Sequence, residues 1–464
     1  GDMLYLYSKN HPNLVQFHDI VYDMDTDKFA IMSDKFMLLH HHDYRIPTGY
    51  ENYLEDNSQR ELLAEQGFID LNITDDELRE KCSKLLKRLS ILHYDDDIEF
   101  ILTVIGSLFR HDNSWQVAPI IVGGGALGKS MIYNEIIGVN AVGSSNFSTL
   151  GQDEIDNGSD FLVSTLYGKE LNLVTETNGS YLSPKFLVTF KRFGDNRDIN
   201  KKFKEPFQAS ITAPTVMLGN TGQIPGIPSS YSNDEGLRRR IFIVTCRDKS
   251  YKVKFQEEHG MTIREYFKMD ELIAEVPYFT LLCIRTFMKN LYNGNISKLD
   301  DVYGATEKVI KGFTNERIVK NTQDYFKSHN RNREFIVWLA EEFTSHPDAS
   351  TDKTVDTFKE WLTMLPTKEV KTMYLWWFKD KYTSVAPKEQ DLEEYLKNTL
   401  DIQSESGTTI VNGKQKRLKR YGKRFADIVV DIVNEDNPEL LTFDEGLIES
   451  KLYENRNDFQ FDYN

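Results

Sequence analysis

The stretch "APIIVGGGALGKSMIYNEIIG", Ala118–Gly138, decides the fold class of this chain. It contains an apolar run, a glycine-rich segment and a run of helix-forming residues, in that order. Gly123–Ser130 ("GGGALGKS") fits the pattern G-x-x-x-x-G-K-[ST] at each specified position. The backbone N–H groups of such a loop face a phosphate, and the helix that follows adds partial positive charge. The stretch therefore predicts a nucleoside triphosphate site between a strand and a helix.

The pattern predicts ATP and Mg²⁺ as cofactors. The Lys129 ammonium should reach the β- and γ-phosphates, and the Ser130 hydroxyl should ligate magnesium. The predicted nucleotide-binding residues are Gly123, Gly124, Gly125, Ala126, Leu127, Gly128, Lys129, Ser130 and Met131. A glycine-rich turn with no ligand is the alternative interpretation.

Further apolar runs alternate with helical patterns on the carboxyl side of this stretch. The runs "KELNLVTE", "PTVMLGN" and "RRIFIVT" each read as a buried strand. Strands of this kind that alternate with helices are typical of an α/β fold with a parallel sheet.

Two of these runs end in a side chain that suits ATP hydrolysis. The first ends at Glu176, where a catalytic base, a water-orienting group or a metal ligand is needed. Many ATPases of this type carry two acids here, whereas Thr175 precedes Glu176, so Ser130 would carry more of the magnesium ligation. The second run ends at Asn220, whose amide could orient the attacking water. An exposed glutamate at the end of a structural strand is the alternative for Glu176.

Three consecutive arginines, Arg238, Arg239 and Arg240, directly precede the third run. Three cations at the start of one strand would be costly to bury together. The triplet therefore favours an interface at which an arginine acts on the nucleotide of a neighbouring subunit.

Composition sets the limits on organisation and partners. A chain of 464 residues predicts two to four domains. The net charge is −16, yet the last 38 residues hold eleven acidic and two basic residues, so the remainder carries only −7. The three cysteines show no metal spacing and no apolar run is long enough to span a membrane. We therefore expect a reduced, cytoplasmic protein with no membrane partner.

The segments before the glycine-rich loop predict a small mixed subdomain and a helical collar. Short alternating runs over the first forty residues indicate strands, and Asp75–Leu89 and Asp95–His111 read as helices. The run His40–His42 raises the possibility of a metal site. Adjacent residues on a strand point to opposite faces, so three in a row cannot converge on one ion, and the sequence does not predict such a site.

The C-terminal third predicts a winged-helix module. A polar segment at Thr344–Thr354 is the best linker candidate, and helices follow it. Two short strands then flank the turn "VNGKQ", and the stretch Val411–Arg424 holds seven basic residues and no acid. A solvated loop and a localisation-like signal are alternatives to a DNA-binding wing. The predicted DNA contacts of this hairpin are Lys414, Lys416, Arg417, Lys419 and Arg420.

The order of these motifs along the chain resembles that of superfamily 3 helicases. The order is a phosphate loop, a strand ending in Glu176, a strand ending in Asn220, and arginines before a further strand. The resemblance is to the primase-helicase ATPases of phages and poxviruses and to the replication initiator (Rep) proteins of staphylococcal pathogenicity islands. It covers roughly residues 15–250, and more loosely the C-terminal module. The N-terminal "FHDIVYDMDTDKFAI" also resembles a strand pair of that family, with His18-Asp19 in place of Asn-Gly.

The resemblance implies a homohexameric ring that moves along single-stranded DNA. It implies that Lys129 and Ser130 bind phosphates and magnesium, that Glu176 acts on the attacking water, and that Asn220 is the sensor. Arg240, or its neighbour Arg239, would be the arginine finger. A hairpin between the second and third motifs would grip DNA, and the matching segment "NRDINKKFKEPFQ" offers Lys201, Lys202 and Lys204. A solvated lysine cluster is the alternative.

The sequence thus predicts an α/β protein with an AAA+-like P-loop ATPase core, helical flanking elements, a small N-terminal α+β subdomain and a C-terminal winged helix. The expected function is an ATP-dependent DNA helicase and replication initiator of a mobile element that binds origin duplex, with a regulatory or replisome protein as a further partner. A DNA-binding ATPase switch, such as a partition protein or helicase loader, and a small-molecule kinase are the alternatives. The predicted segments are 1–74 (N-terminal), 75–115 (collar), 116–260 (ATPase core), 261–345 (helical), 346–426 (winged helix) and 427–464 (acidic tail).

Overall fold

The computed structural model divides the chain into two units, whose boundary lies near residue 325. The first unit contains the residues up to 227 and 234–325, and the second contains the rest. The structure describes residues 11–112, 117–157, 160–175, 182–191, 196–199, 207–220, 224–227, 231, 234–292, 316–328, 331–345, 354–381, 392–393, 395–411, 414–437 and 440–441.

The first unit begins with a five-stranded sheet in the order β4-β1-β2-β3-β5. Strands β1, β2, β3 and β5 pair antiparallel, and β4 adds to β1 in parallel. Adjacent residues such as Ile20, Val21 and Tyr22 of β2 are all buried, so both faces of this sheet are largely covered. The elements are β1 (Leu14–Phe17), β2 (Ile20–Asp23), β3 (Lys28–Ile31), β4 (His41–His42), α1 (Glu51–Glu55), α2 (Asn57–Gln66) and β5 (Ile69–Asp70).

Three helices connect this sheet to the glycine-rich segment. The Thr74 hydroxyl and the Glu77 carboxylate form a reciprocal cap at the start of α3, which explains why the helix begins there. The region predicted as one helix is interrupted at Cys82 and forms two. The helices are α3 (Asp75–Lys81), α4 (Ser83–Leu92) and α5 (Ile98–Ser107), with a short 3₁₀ turn at Asp95–Asp97.

A second five-stranded sheet, entirely parallel, forms the centre of the first unit in the order β12-β6-β11-β8-β7. This confirms the predicted α/β fold with a parallel sheet. Strands β9 and β10 form a separate antiparallel hairpin. The strands are β6 (Ala118–Gly123), β7 (Phe147–Ser148), β8 (Leu171–Val174), β9 (Asn196–Ile199), β10 (Phe207–Ser210), β11 (Thr215–Asn220) and β12 (Ile241–Thr245).

Helices cover this parallel sheet, and their apolar residues form one continuous core with β6, β8, β11 and β12. Long helix α13 packs along α5 and α3. The helices are α6 (Met131–Gly143), α7 (Gln152–Asn157), α8 (Asp160–Ser164), α9 (Pro184–Lys191), α10 (Glu235–Arg238), α11 (Lys249–His259), α12 (Ile263–Tyr266), α13 (Met269–Tyr292) and α14 (Glu316–Ser328). In the described parts of the chain, no helix combines the length and apolarity needed to cross a bilayer.

The second unit contains helices around an antiparallel hairpin and has its own core. Helix α19 buries Val429 and Val433, so the first ten residues of the predicted acidic tail belong to a packed helix. Phe335 and Leu339 of α15 are buried in the same core, which places this unit's start before the predicted linker. The elements are α15 (Arg331–Ser345), α16 (Val355–Met364), α17 (Thr367–Lys381), α18 (Tyr395–Thr399), β13 (Glu405–Val411), β14 (Lys414–Arg420) and α19 (Gly422–Asp436).

Candidate functional site

The glycine-rich segment forms the loop between β6 and α6, at the carboxyl edge of the parallel sheet. The chain leaves β6 toward β7 on one side of the sheet, and it leaves the neighbouring strand β11 toward β12 on the other side. When the connections from two adjacent strands run in opposite directions, a crevice forms at the carboxyl ends of those strands. Open α/β sheets bind ligands in such a crevice. The register pairs Gly123 with Asn220, so both strands end at this crevice.

Lys129 points back across the loop toward this crevice. Its Nζ donates hydrogen bonds to the carbonyl oxygens of Gly123 (2.7 Å) and Gly124 (3.1 Å) and to Asn220 Oδ1 (3.3 Å). Burial lowers the pKa of Lys129, and the nearby Lys249 acts in the same direction. The structure thus brings together two of the residues that the sequence singles out, a cation from the loop and the amide at the end of β11.

The loop backbone has two residues in the left-handed region. Ala126 has φ of 62° at the exposed tip, and Gly128 has φ of 90° at the start of the helix. A Cβ on Gly128 would lie 2.0 Å from Arg88 Nη2, whereas a Cβ on Gly125 would have open space around it. Gly128 is therefore required both for its conformation and for the close approach of Arg88. Ser130, the predicted magnesium ligand, is exposed at the start of α6, next to Met131.

Arg88 is a residue of this site that sequence reasoning missed. It is 2% exposed, and its Nη2 donates to the carbonyl oxygen of Leu127 in the loop (3.2 Å). Among the described residues, its Nε and Nη1 have no hydrogen-bond partner, and burial alone lowers the pKa of Arg88 to about 10. The signal was present in the sequence, because Leu85, Arg88, Leu89 and Leu92 recur at helical spacing and so lie on one buried face of α4.

Two lysines of α11 also lie at the loop. Lys252 Nζ donates to the carbonyl oxygen of Ala126 (2.7 Å), and the Lys249 side chain passes close to Gly124. Four cations therefore surround the loop, and none of them forms an ion pair with a carboxylate that the structure describes. They are Arg88, Lys129, Lys249 and Lys252. No described carboxylate neutralises this positive charge around the loop. The arrangement favours an anionic ligand.

The remaining predicted catalytic residues occupy different positions. Glu176 lies outside the described residues, while Thr175 before it is exposed after β8. Arg240 is 5% exposed and donates to the carbonyl oxygens of Gly236 (2.6 Å) and Lys191 (3.2 Å). Arg239 is half-buried and Arg238 is exposed. An arginine that acts on a neighbouring subunit has to reach the surface, so this placement suits Arg239 and Arg238 better than Arg240.

The predicted DNA-binding residues lie in two hairpins. Strands β9 and β10 flank the segment that carries Lys201, Lys202 and Lys204, which itself lies outside the described residues. In the second unit, β13 pairs with β14, with Thr408 opposite Arg417 and Ser406 opposite Lys419. Arg417 and Lys419 are exposed and share one face of the strand, while Arg420 is half-buried. Lys414 and Lys416 belong to the same strand.

Comparisons with known proteins give little information on function. The profile of a family described as "Family of unknown function (DUF5906)" matches residues 121–240, from β6 to the arginine triplet. No curated protein matches the chain.

Two solved structures are similar to part of the chain. One is the A-form apo structure of the NrS-1 C-terminal region, with 17% identity and a TM-score of 0.41 over 74% of this chain and 75% of that chain. The other is the A-form apo structure of that region over residues 305–718, with 14% identity and a TM-score of 0.40 over 74% of each chain. At these values neither similarity establishes a fold or a function here.

Proposed function

We propose that this protein is an ATP-dependent DNA helicase and replication initiator of a mobile element. The observation that carries the proposal is the position of the Lys129 loop. It lies at the crevice between the carboxyl ends of β6 and β11, beside Asn220. A left-handed Gly128 at a helix start and four cations that pair with no described carboxylate fit a polyphosphate. A small-molecule kinase would use the same loop but leaves the arginine triplet without a role.

In this proposal the loop N–H groups and Lys129 hold the β- and γ-phosphates, and Ser130 ligates Mg²⁺. The ion would offset charge on the phosphate oxygens. Lys129 would exchange its bonds to the Gly123 and Gly124 carbonyls for bonds to phosphate oxygens. Glu176 would accept a proton from the attacking water, and Asn220, bonded to Lys129, would orient that water.

The second half of the proposed site comes from a neighbouring copy in a hexameric ring. Arg239, with Arg238 beside it, is proposed as the group that reaches the neighbour's γ-phosphate, since Arg240 is held by carbonyls of its own chain. Single-stranded DNA would pass along the β9–β10 hairpin lysines. The second unit, with its helices and basic hairpin, is proposed as a winged-helix module on origin duplex.

The first experiment measures ATP hydrolysis with and without single-stranded DNA, together with strand displacement on a forked duplex. The helicase proposal expects hydrolysis that DNA stimulates and displacement that requires ATP. Hydrolysis that DNA stimulates, without displacement at any salt concentration, would instead support the DNA-binding ATPase switch. Hydrolysis indifferent to DNA would contradict both.

A second experiment tests whether subunits share the site. Lys129→Ala and Arg239→Ala are each expected to abolish hydrolysis as pure proteins. Mixed rings contain interfaces that pair an intact Lys129 with an intact Arg239, so mixing the two variants should restore part of the activity. Lys129→Ala mixed with Arg240→Ala is the matched comparison, and recovery only in that second mixture would transfer the proposed role to Arg240.

A third experiment tests the hairpin of the second unit. Replacing exposed Arg417 and Lys419 with alanine should weaken origin-duplex binding about 10-fold and lower its salt dependence by up to two phosphate contacts. Lys359 and Lys371, which pair with Asp427 and Glu393, provide a control double variant with the same charge change in the same unit. Equal affinity of the two double variants would retire the wing proposal.

A further inference from the structure

A buried cluster of three histidines and one glutamate lies away from the nucleotide loop. Glu170 directly precedes β8 and is 2% exposed, and His40 (3%) and His42 (1%) come from the N-terminal sheet. His111, which follows α5, completes the group and is also largely removed from solvent. These residues are remote in sequence, and the first unit brings them together around one carboxylate.

The donor atoms have the spacing of a metal site. The Glu170 carboxylate lies 2.6 Å from His111 Nε2, 3.3 Å from His42 Nε2 and 4.0 Å from His40 Nδ1. The ligand atoms of His40, His111 and Glu170 all lie within 4.8 Å of one another. Neighbouring ligand atoms around tetrahedral zinc are about 3.3 Å apart when Zn–N is 2.0–2.1 Å. The observed distances bracket that value.

The polar atoms of the cluster are satisfied by one another only in part. His111 Nε2 and Glu170 Oε1 form a hydrogen bond (2.6 Å). Among the described residues, no hydrogen bond of good geometry satisfies either ring nitrogen of His40 or His42, nor Glu170 Oε2. The described salt bridges of Glu170 involve these histidines and include no lysine or arginine. The rings of His40 and His42 and one oxygen of Glu170 are thus buried without a described hydrogen-bond partner, which a bound cation would supply.

The backbone around the cluster is fixed in place. His18 N donates to the His42 carbonyl oxygen (2.7 Å), and His111 N donates to Pro12 (3.0 Å). Glu170 N donates to the carbonyl oxygen of Asn146 (2.7 Å), whose side-chain amide donates to the His41 carbonyl oxygen (3.1 Å). The rings of Phe17 and Phe109 pack against His42 and exclude water from one side. The ligands are therefore held before any ion binds.

From this geometry we propose that His40, His111 and Glu170 form a site for a divalent transition metal, Zn²⁺ first, with His42 beside the same carboxylate. Imidazole and carboxylate donors match the preference of zinc. The ion joins the N-terminal sheet to the segment after α5 and to the start of β8. It also corrects the sequence expectation for the histidine run. His41 does point away and lies 3.2 Å from Asp43, but His40 and His42, two residues apart, converge with distant partners.

The histidine run supplies its own matched control. The full chain is purified without a polyhistidine tag, and its metal content is measured by plasma mass spectrometry. We expect about one zinc per chain in the wild type and in His41→Gln, and at least 100-fold weaker zinc binding in His40→Gln and Glu170→Gln. After chelation, added Zn²⁺ should raise the unfolding temperature of the wild type and of His41→Gln but not of the other two.

Cobalt gives a test that needs no variant. Co²⁺ added to the chelated wild-type chain should produce the visible absorption of a tetrahedral complex at one equivalent. No spectrum with Co²⁺, together with equal effects of Zn²⁺ on His41→Gln and His40→Gln, would overturn the proposal and leave a buried proton-sharing cluster. Because these readouts are metal content, absorption and unfolding, they stand or fall independently of ATP hydrolysis.

Discussion

The two edges of the parallel sheet carry opposite kinds of charge. At the carboxyl edge, the described hydrogen bonds of Lys129 and Arg88 go to carbonyl and amide oxygens. At the amino edge, the Glu170 carboxylate lies among imidazoles, is hydrogen-bonded to His111, and forms no ion pair with a described lysine or arginine. A buried charge without a strong ion-pair partner is costly. The two proposals above therefore place an anion at the carboxyl edge and a cation at the amino edge.

The strongest test of this comparison neutralises one charge at each edge. Lys129→Met should lower ATP hydrolysis at least 100-fold, because it removes a preorganised cation from the phosphates, and should leave the unfolding temperature nearly unchanged. Glu170→Gln should lower the unfolding temperature by about 4 °C or more, because it weakens a buried, charge-assisted hydrogen bond. Steady-state hydrolysis and calorimetry on both variants provide the measurement. If both variants lost stability and activity together, the two edges would be one coupled site.

A second test separates the glycine that the loop conformation requires from one that it does not. Gly128→Ala places a Cβ at φ of 90° and 2.0 Å from Arg88, which costs about 1–2 kcal/mol in backbone strain alone. ATP hydrolysis should fall at least 10-fold. Gly125→Ala, with open space around it, should stay within about threefold of the wild type. Equal losses in the two variants would show that loop flexibility, not the fit around Arg88, governs the site.

The loop could be predicted from the sequence because its chemistry is local. The spacing of Gly123, Lys129 and Ser130 fixes a strand, a turn and a helix within a few residues, and the parallel sheet followed from the apolar runs. The continuation of packed structure to Asp436 was missed because the net charge of the last 38 residues is strongly negative, although Val429, Val430 and Val433 recur at helical spacing.

The histidine–glutamate cluster could not be predicted in the same way. Alternation along a strand correctly separates His41 from its neighbours, but it contains no information on which distant side chains meet the other two. His111 and Glu170 reach His40 only through the packing of α5 and β8 against the N-terminal sheet. Arg88 is an intermediate case, because its place on an apolar helix face is visible in the sequence while its contact with Leu127 is not.

A third test asks whether Arg88 serves the ligand or the fold. Arg88→Met removes an unpaired buried charge, so the unfolding temperature should stay constant or rise, while ATP affinity should fall about 10-fold. Arg247→Met is the control, since Arg247 donates to the carbonyl oxygens of Ser90 (2.7 Å) and His93 (2.8 Å) and pairs with Asp95. That variant should lose stability. Destabilisation by Arg88→Met with unchanged ATP affinity would assign Arg88 to the fold.

The smallest expected effect concerns the pH dependence of the carboxyl edge. His93 is fully buried with its Nε2 2.9 Å from Tyr133 Oη, and burial, followed by Arg88 and Arg247, lowers the pKa of His93 to about 3. The unfolded chain protonates His93 near pH 6.5 and the folded chain does not, so this contribution to stability is present above pH 6.5 and is lost as the pH falls toward 3. The slope should be about 1 kcal/mol of unfolding free energy per pH unit.

Denaturant titrations between pH 7 and pH 5 would measure this slope. His93→Gln should reduce it, and so should Arg88→Met, because the imidazole then loses a neighbouring cation. Glu170→Gln should leave the contribution of His93 untouched, since that glutamate acts at the opposite edge. The opposite outcome is that Glu170→Gln removes the slope and His93→Gln leaves it. That outcome would place the acid-sensitive group of the first unit in the histidine cluster at the amino edge rather than at the carboxyl edge.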